Sequence, residues 1–307
     1  MNLLQVAKTF ATEDMALAYW IMTRWPTGVH CLACDNAKVY AITTKGKTGK
    51  VARLFECSEC GLHFSATTGT LFHDSHLPLT KWFAAIALMV EAKKGVSANQ
   101  VARHIGVSYK TAWHLCHRIR NAMSESESPL LGGPGTVVEV DETFIGGKSR
   151  GKGKNAASQA KIAVLGIAER GGRIHLKTIP NTTALAIHPI LDAKIDPDTD
   201  KVVTDSANVY GKAFPKGKHE KANHHRELRD QGFIASTRTI ESAFSLFKRG
   251  IVGSYHKLSR DHMDSYLSEF CWRFNRRHMQ PYLFDMALRN LGDHKPLTFK
   301  KLTREIF

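Results

Sequence analysis

The sequence predicts an α/β domain set behind a linker and preceded by two small modules, one clipped by metal and one helical. Three observations carry this reading. Four of the six cysteines fall in two C-x2-C pairs, Cys31/Cys34 and Cys57/Cys60. A helical pattern from Leu79 to Met123 runs into SESESPLLGGPGT (124–136), whose Ser, Gly and Pro read as a linker. Strands interspersed with helices follow, as an α/β domain requires. The expected segments are an N-terminal stretch 1–27, a cysteine module 28–69, a helical module 78–123, a linker 124–135, the α/β domain 136–285 and a tail 286–307.

In the cysteine module each C-x2-C turn supplies two thiolates from one tight bend, and zinc prefers four ligands in a tetrahedron. Two such knuckles clip a unit too small to fold on its own core. A pair of disulfides is the rival, disfavoured in a cytosolic setting. A redox C-x-x-C is a further one, and two copies in one short module argue against it. The expectation is one structural zinc on Cys31, Cys34, Cys57 and Cys60. Cys116 and Cys271 stand inside apolar patterns as small hydrophobes.

In the helical module Ser97 can cap a helix running through Val101 and His104, and Gly106 makes the turn. Ser108 caps a second helix with an apolar stripe of Ala112, Leu115, Cys116 and Ile119. Tyr109, Lys110, Thr111 and His114 would face outwards, as on the recognition helix of a helix-turn-helix. An ordinary helical hairpin is the alternative. LTKWFAAIALMVEAKK reads as the helix packed behind the pair.

The α/β domain opens on VVEVDETFI (137–145). Val138 and Val140 point one way, and Glu139, Asp141 and Thr143 the other. An acid in an apolar strand is costly to bury without compensation. KIAVLGIAE and RIHLKTIP flank Gly171-Gly172 as a hairpin, a helix is expected over 182–193, and the strand KVVTD closes on Asp205. In TIESAFSLFKRG, Ile240, Phe244, Phe247 and Ile251 form a buried stripe, while Glu241, Ser245 and Lys248 share another face. Taken singly, Asp141 could face solvent, Asp205 could cap a helix, and Glu241 could pair with Ser245 or Lys248. Together, two strand-borne Asp and one helix-borne Glu can converge on two Mg²⁺ ions, since hard cations take oxygen ligands and a metal pair clamps both oxygens of a phosphodiester.

The net charge of +15 points to a polyanionic partner, with nucleic acid the commonest and a basic but inert surface the alternative. Lys148, Arg150, Lys152 and Lys154 form a basic tip that either contacts DNA or is simply solvated. GGKSRGKGK lacks the first glycine of a phosphate-binding loop, because Glu142 stands there. Lys216, Lys218 and Arg226 belong to a second basic run suited to phosphate contacts. The longest apolar run, Trp82 to Val90, is too short to span a bilayer, and the N-terminus lacks signal-peptide features. A cytoplasmic protein with no membrane partner is expected.

These motifs, in this order, resemble those of bacterial insertion-sequence transposases of the DDE class that carry an N-terminal zinc ribbon. The residues that carry the likeness are the two knuckles followed by FSATTGTLFHDSHLPLTKWFAAI, then VDETFIGGK, VVTDSANVY, TIESAFSLFKRGIVGSYHKLS and YLSEFCWRFNRR. The resemblance implies an RNase H-like catalytic domain, a mixed sheet flanked by helices. It also implies a catalytic triad of Asp141, Asp205 and Glu241 holding two Mg²⁺, with Mn²⁺ able to substitute, and a phosphate-steadying Lys248. The implied partners are the element's inverted-repeat ends and target DNA, met by a homodimer or higher oligomer at the nucleoid. Arg238 stands where relatives carry Asn and joins the DNA-contacting candidates, Phe244 replaces Trp, and some relatives have Asn in place of the Glu. The rival functions are a nuclease without strand transfer and a DNA-binding regulator derived from a transposase.

Overall fold

The computed structural model describes residues 1–45, 51–124, 129–146, 161–205, 208–211, 213–215, 217–222, 229–230, 233–292 and 294–304. They form two compact units, 1–123 with 279–307, and 124–278.

The first unit begins with two helices where only a terminal stretch was expected, α1 (Leu3–Thr9) and α2 (Glu13–Arg24). Asn2 and Gln5 form a capping box on α1, and Thr12 caps α2. A three-stranded antiparallel sheet follows, β1 (Val39–Lys45), β2 (Val51–Cys57) and β3 (His63–Phe64). Beneath the cysteines it packs Phe64 with Trp25 and Phe55. Helix α3 (Leu79–Glu91) is apolar nearly all round and buries Trp82, Phe83, Ile86 and Met89, so it is the centre of this unit. Its first turn is held from afar, since the Leu79 and Thr80 amides donate to the Glu13 carboxylate at 2.8 and 3.2 Å. Helices α4 (Ala98–Ile105) and α5 (Tyr109–Ala122) flank Gly106, which is left-handed at φ 63°. Ser97 and Ser108 accept from the third amide of each helix, as their spacing predicts.

The second unit is built on a five-stranded mixed sheet. Its strands are β4 (Val137–Ile145), β5 (Ile162–Glu169), β6 (Ile174–Ile179), β7 (Lys201–Thr204) and β8 (His219–Lys221), in the order β6-β5-β4-β7-β8. β4, β5 and β6 are antiparallel neighbours, whereas β7 lies parallel to β4 and β8 parallel to β7. Between β6 and β7 runs α6 (Ala184–Lys194), whose Ile187 and Leu191 pack on Val138, Val140, Leu165 and Ile167. A short β9 (Arg229–Asp230) and β10 (Phe233–Ile234) pair before α7 (Arg238–Gly250) and α8 (Met263–Asn275). The two helices cover the opposite face, where Ile240, Phe244, Phe247, Leu267 and Phe270 meet Val164, Ala168 and Leu176. A mixed sheet with helices on both faces is the RNase H-like architecture expected from the sequence.

The chain then returns to the first unit. Helix α9 (Leu283–Gly292) and the short α10 (Phe299–Arg304) belong there. Phe284 lies 5.8 Å from both the Phe10 and Phe83 rings, and Tyr19 Oη donates to Asp285. By contacts, 279–307 groups with 1–123 rather than with 124–278, and Phe284 of α9 packs on the core around Phe10 and Phe83.

Candidate functional site

The cysteine knuckles superpose in their local chemistry. The amide of Ala33 points at Cys31 Sγ and that of Glu59 at Cys57 Sγ, each at 3.4 Å. Each turn ends in a left-handed residue, Asp35 and Gly61. All four sulfurs lie within 4.8 Å of one another, with separations of 3.5 and 3.6 Å across the pairs. A tetrahedral zinc with bonds of about 2.3 Å needs sulfurs roughly 3.8 Å apart, whereas a disulfide needs about 2.05 Å. The donor set therefore fits zinc. Amides of Cys34 and Ala33 favour the Cys31 thiolate and draw its pKa down to about 6.

In the second unit the parallel register of β4 and β7 does the assembling. Val140 pairs with Thr204, so the next residues, Asp141 and Asp205, emerge side by side. Asp141, Asp205 and Glu142 each offer a carboxylate oxygen within 4.8 Å of the others. Burial pushes the Asp141 carboxyl up to about 6, helped by the charges of Asp205, Glu142 and Glu241. Burial also raises Glu142, against the opposing pull of the buried Tyr210 hydroxyl beside it, which closes no hydrogen bond of regular geometry. A half-buried cluster of hard oxygen donors, in which the Glu142 amide donates to Asp141 Oδ1 at 2.8 Å, is a donor set that a divalent cation such as Mg²⁺ or Mn²⁺ fits.

Glu241 stands apart from this set of three. It lies on the first turn of α7 and accepts from Thr237 Oγ1 at 2.7 Å, though its charge reaches Asp141. Among the described residues, the three carboxylates within 4.8 Å of one another are those of Asp141, Glu142 and Asp205, and Glu241 of the expected triad lies outside that set. Lys248, two turns further along α7, donates to Thr143 Oγ1 at 2.5 Å. Residues 139, 141 and 143 of β4 therefore run along α7, facing its first turn, Glu241 and Lys248 in order.

Two residues that the sequence reading left aside make this approach possible. Gly166 pairs with Asp141 across β5, and a Cβ there would come 2.5 Å from Ile240 Cδ1 and 2.6 Å from the Phe244 ring. Glu139 is fully buried and bonded to Arg170 and to the start of α7. Its signal in the sequence was an acid two residues before Asp141 on the same strand face.

The nucleic-acid candidates divide. Tyr109 is 54% exposed and Lys110 is exposed. His114 is not presented outwards as expected. Its Nε2 lies 3.3 Å from the Leu297 carbonyl, its ring stacks edge-on to Phe299, and burial lowers its pKa. Lys110 Nζ lies 5.0 Å over the same Phe299 ring, and Thr111 is half-buried beside its Ser108 cap. Lys218 donates to the Pro197 carbonyl at 2.7 Å, and Arg238 is exposed at the start of α7. Lys148, Lys216 and Arg226 lie outside the described residues, as do Arg150, Lys152 and Lys154. Among the described residues no helix is long and apolar enough to cross a membrane.

Comparison with known proteins agrees with this division of the chain. Residues 11–63 match the family described as transposase zinc-ribbon domain, and residues 130–275 match the ISXO2-like transposase domain. A Halobacterium salinarum protein, named as an uncharacterized protein in transposable element ISH50, is 27% identical over 282 residues, covering 86% of this chain and 91% of its own length.

Proposed function

Since residues 11–63 belong to the transposase zinc-ribbon family and residues 130–275 to the ISXO2-like transposase domain family, we propose that the chain is a DDE transposase that cuts and joins the ends of its own element. The zinc ribbon and α4/α5 bind the terminal inverted repeats. The second unit hydrolyses a phosphodiester at each end, leaving a 3′-OH that attacks target DNA. Two ends cut together call for at least two copies of the chain on DNA.

The observation that supports this reading best is the parallel register that sets Asp141 beside Asp205. These two carboxylates hold divalent cations, Glu142 adjoins them, and Glu241 stands on α7 as the further ligand, oriented by the Thr237 hydroxyl. When bound, such cations supply Lewis acidity and an activated water. Lys248, anchored beside the cluster by Thr143, steadies a phosphate of the scissile strand. Partial burial of Asp141 makes these electrostatic contacts stronger than they would be in bulk water.

The test is cleavage and joining of a labelled duplex carrying the element's end, in Mg²⁺, with wild-type protein and Asp205→Asn. The expected outcome is a nicked 3′ end followed by strand-transfer product, both reduced on the order of a thousandfold or more in the variant. Cutting without joining would make the protein a nuclease. End-specific binding with no cutting by wild type would make it a regulator.

A further inference from the structure

Helix α7 begins in an unusual way. Thr237 occupies its N-cap yet makes no capping bond, because its hydroxyl donates to Glu241 instead. The amides at the start of a helix need acceptors, and a Ser or Thr at the N-cap is their usual source. Here the acceptor comes from another element. The Thr239 and Ile240 amides donate to Glu139 Oε2 at 2.7 and 3.2 Å, and Thr239 Oγ1 donates to Glu139 Oε1 at 3.0 Å. Arg170 Nε donates to the same Oε1 at 3.0 Å, while its Nη2 holds the Ser236 carbonyl just before the helix, also at 3.0 Å.

We propose that Glu139 is a positioning residue of the acidic site, fastening the N-terminus of α7 to β4 and so setting where Glu241 stands relative to Asp141. A fully buried carboxylate is expensive unless compensated, and Glu139 is compensated by a guanidinium, two amides and the positive end of a helix dipole. Because Glu139 takes over the capping, Thr237 is left to hold Glu241. Glu139 and Asp141 project from one face of one strand, so the cap and the cluster share a rigid base. Loss of the Glu139 acceptor would free the first turn of α7 and offer Thr237 the capping role, which draws its hydroxyl from Glu241. A misplacement of about 1 Å in a catalytic group can cost on the order of a hundredfold in rate.

This inference rests on the reading of the acidic cluster as a metal-dependent site, and its test separates the two. The full chain is prepared as wild type, Glu139→Gln and Glu139→Met. Glu13→Gln serves as a control, because Glu13 caps α3 from afar in the other unit in the same manner. Amide exchange at Thr239 and Ile240 is measured without metal, Mn²⁺ alone is titrated by paramagnetic resonance, and kcat and KM are measured for end cleavage. Exchange at the two amides should quicken about tenfold or more in the Glu139 variants, most in Glu139→Met, while β5 stays protected. The Mn²⁺ midpoint should rise severalfold and kcat fall roughly ten- to a hundredfold, with KM for DNA within about twofold. Glu13→Gln should quicken exchange at Leu79 and Thr80 and leave the Mn²⁺ midpoint in place. Freed α7 amides with an unchanged Mn²⁺ midpoint and kcat would overturn the proposal, as would undisturbed exchange in Glu139→Met. If wild type binds Mn²⁺ but cuts nothing, the proposed reaction fails while the exchange and Mn²⁺ arms still decide the role of Glu139.

Discussion

Replacing Asp141 by Asn should make the metal-free protein more stable. The Asp141 carboxyl is raised from 3.8 to about 6, first by burial and then by the neighbouring carboxylates. A group whose folded pKa exceeds its unfolded value favours the fold while protonated. That contribution is complete below about 3.8 and is lost as pH rises through about 6. A shift of about two units corresponds to roughly 3 kcal/mol, at about 1.4 kcal/mol per unit. Asp141 is only partly buried, so solvent screening brings the expected penalty at neutral pH to about 1–2 kcal/mol. Asn keeps the shape and removes the charge. At pH 7.5 without metal, amide exchange of β5 in Asp141→Asn should be about five- to thirtyfold slower than in wild type, since 1.4 kcal/mol is about tenfold. The difference should shrink towards pH 4. Adding Mg²⁺ should slow exchange in wild type and do much less in the variant. A variant less stable than wild type at pH 7.5 would refute the claim that the half-buried Asp141 charge destabilises the metal-free fold.

Cys57→Ser should lose zinc and unfold the ribbon while β4–β8 stay protected, because zinc binding and folding are coupled in such modules; full zinc content by elemental analysis would contradict this. Gly166→Ala should cost about 1–3 kcal/mol, since its Cβ would meet Ile240 and Phe244 at 2.5 and 2.6 Å, and a urea melt matching wild type would show that α7 does not press on the Asp141 rung. Lys110→Ala should lower the salt slope of end binding by about one unit. Deleting 294–307 uncovers Lys110 and His114 and should raise the preference for element ends over a scrambled duplex severalfold; an unchanged preference would remove this face of α5 from the interface.

Much of the architecture was legible in the sequence because its signals are local. The two C-x2-C turns, the Ser97 and Ser108 caps, the left-handed Gly106 and the alternation of Val138 and Val140 each depend on a few adjacent residues. Asp141 and Asp205 could be singled out because both sit in or at the end of apolar strands. What escaped depends on partners far along the chain. Glu139 and Asp141 look alike in the strand pattern, yet Arg170 and the amides of Thr239 and Ile240 compensate only Glu139. Glu142 was passed over because alternation assigns it to the other face, while the end of β7 brings Asp205 within reach of both neighbours. His114 reads as a surface residue until Phe299 returns to cover it. The same long return puts α9 against Phe10, a contact that no window of sequence contains.

The central claim is that Asp141 and Asp205 together hold the divalent ions that the reaction needs. Anomalous diffraction from crystals of the full chain soaked in Mn²⁺ tests it most directly. A peak bridging the two carboxylates, with bonds of roughly 2.0–2.2 Å, is the predicted result, and it should vanish in Asp141→Asn. A Mn²⁺ peak absent from that position in wild type, or one that persists there in Asp141→Asn, would contradict the account.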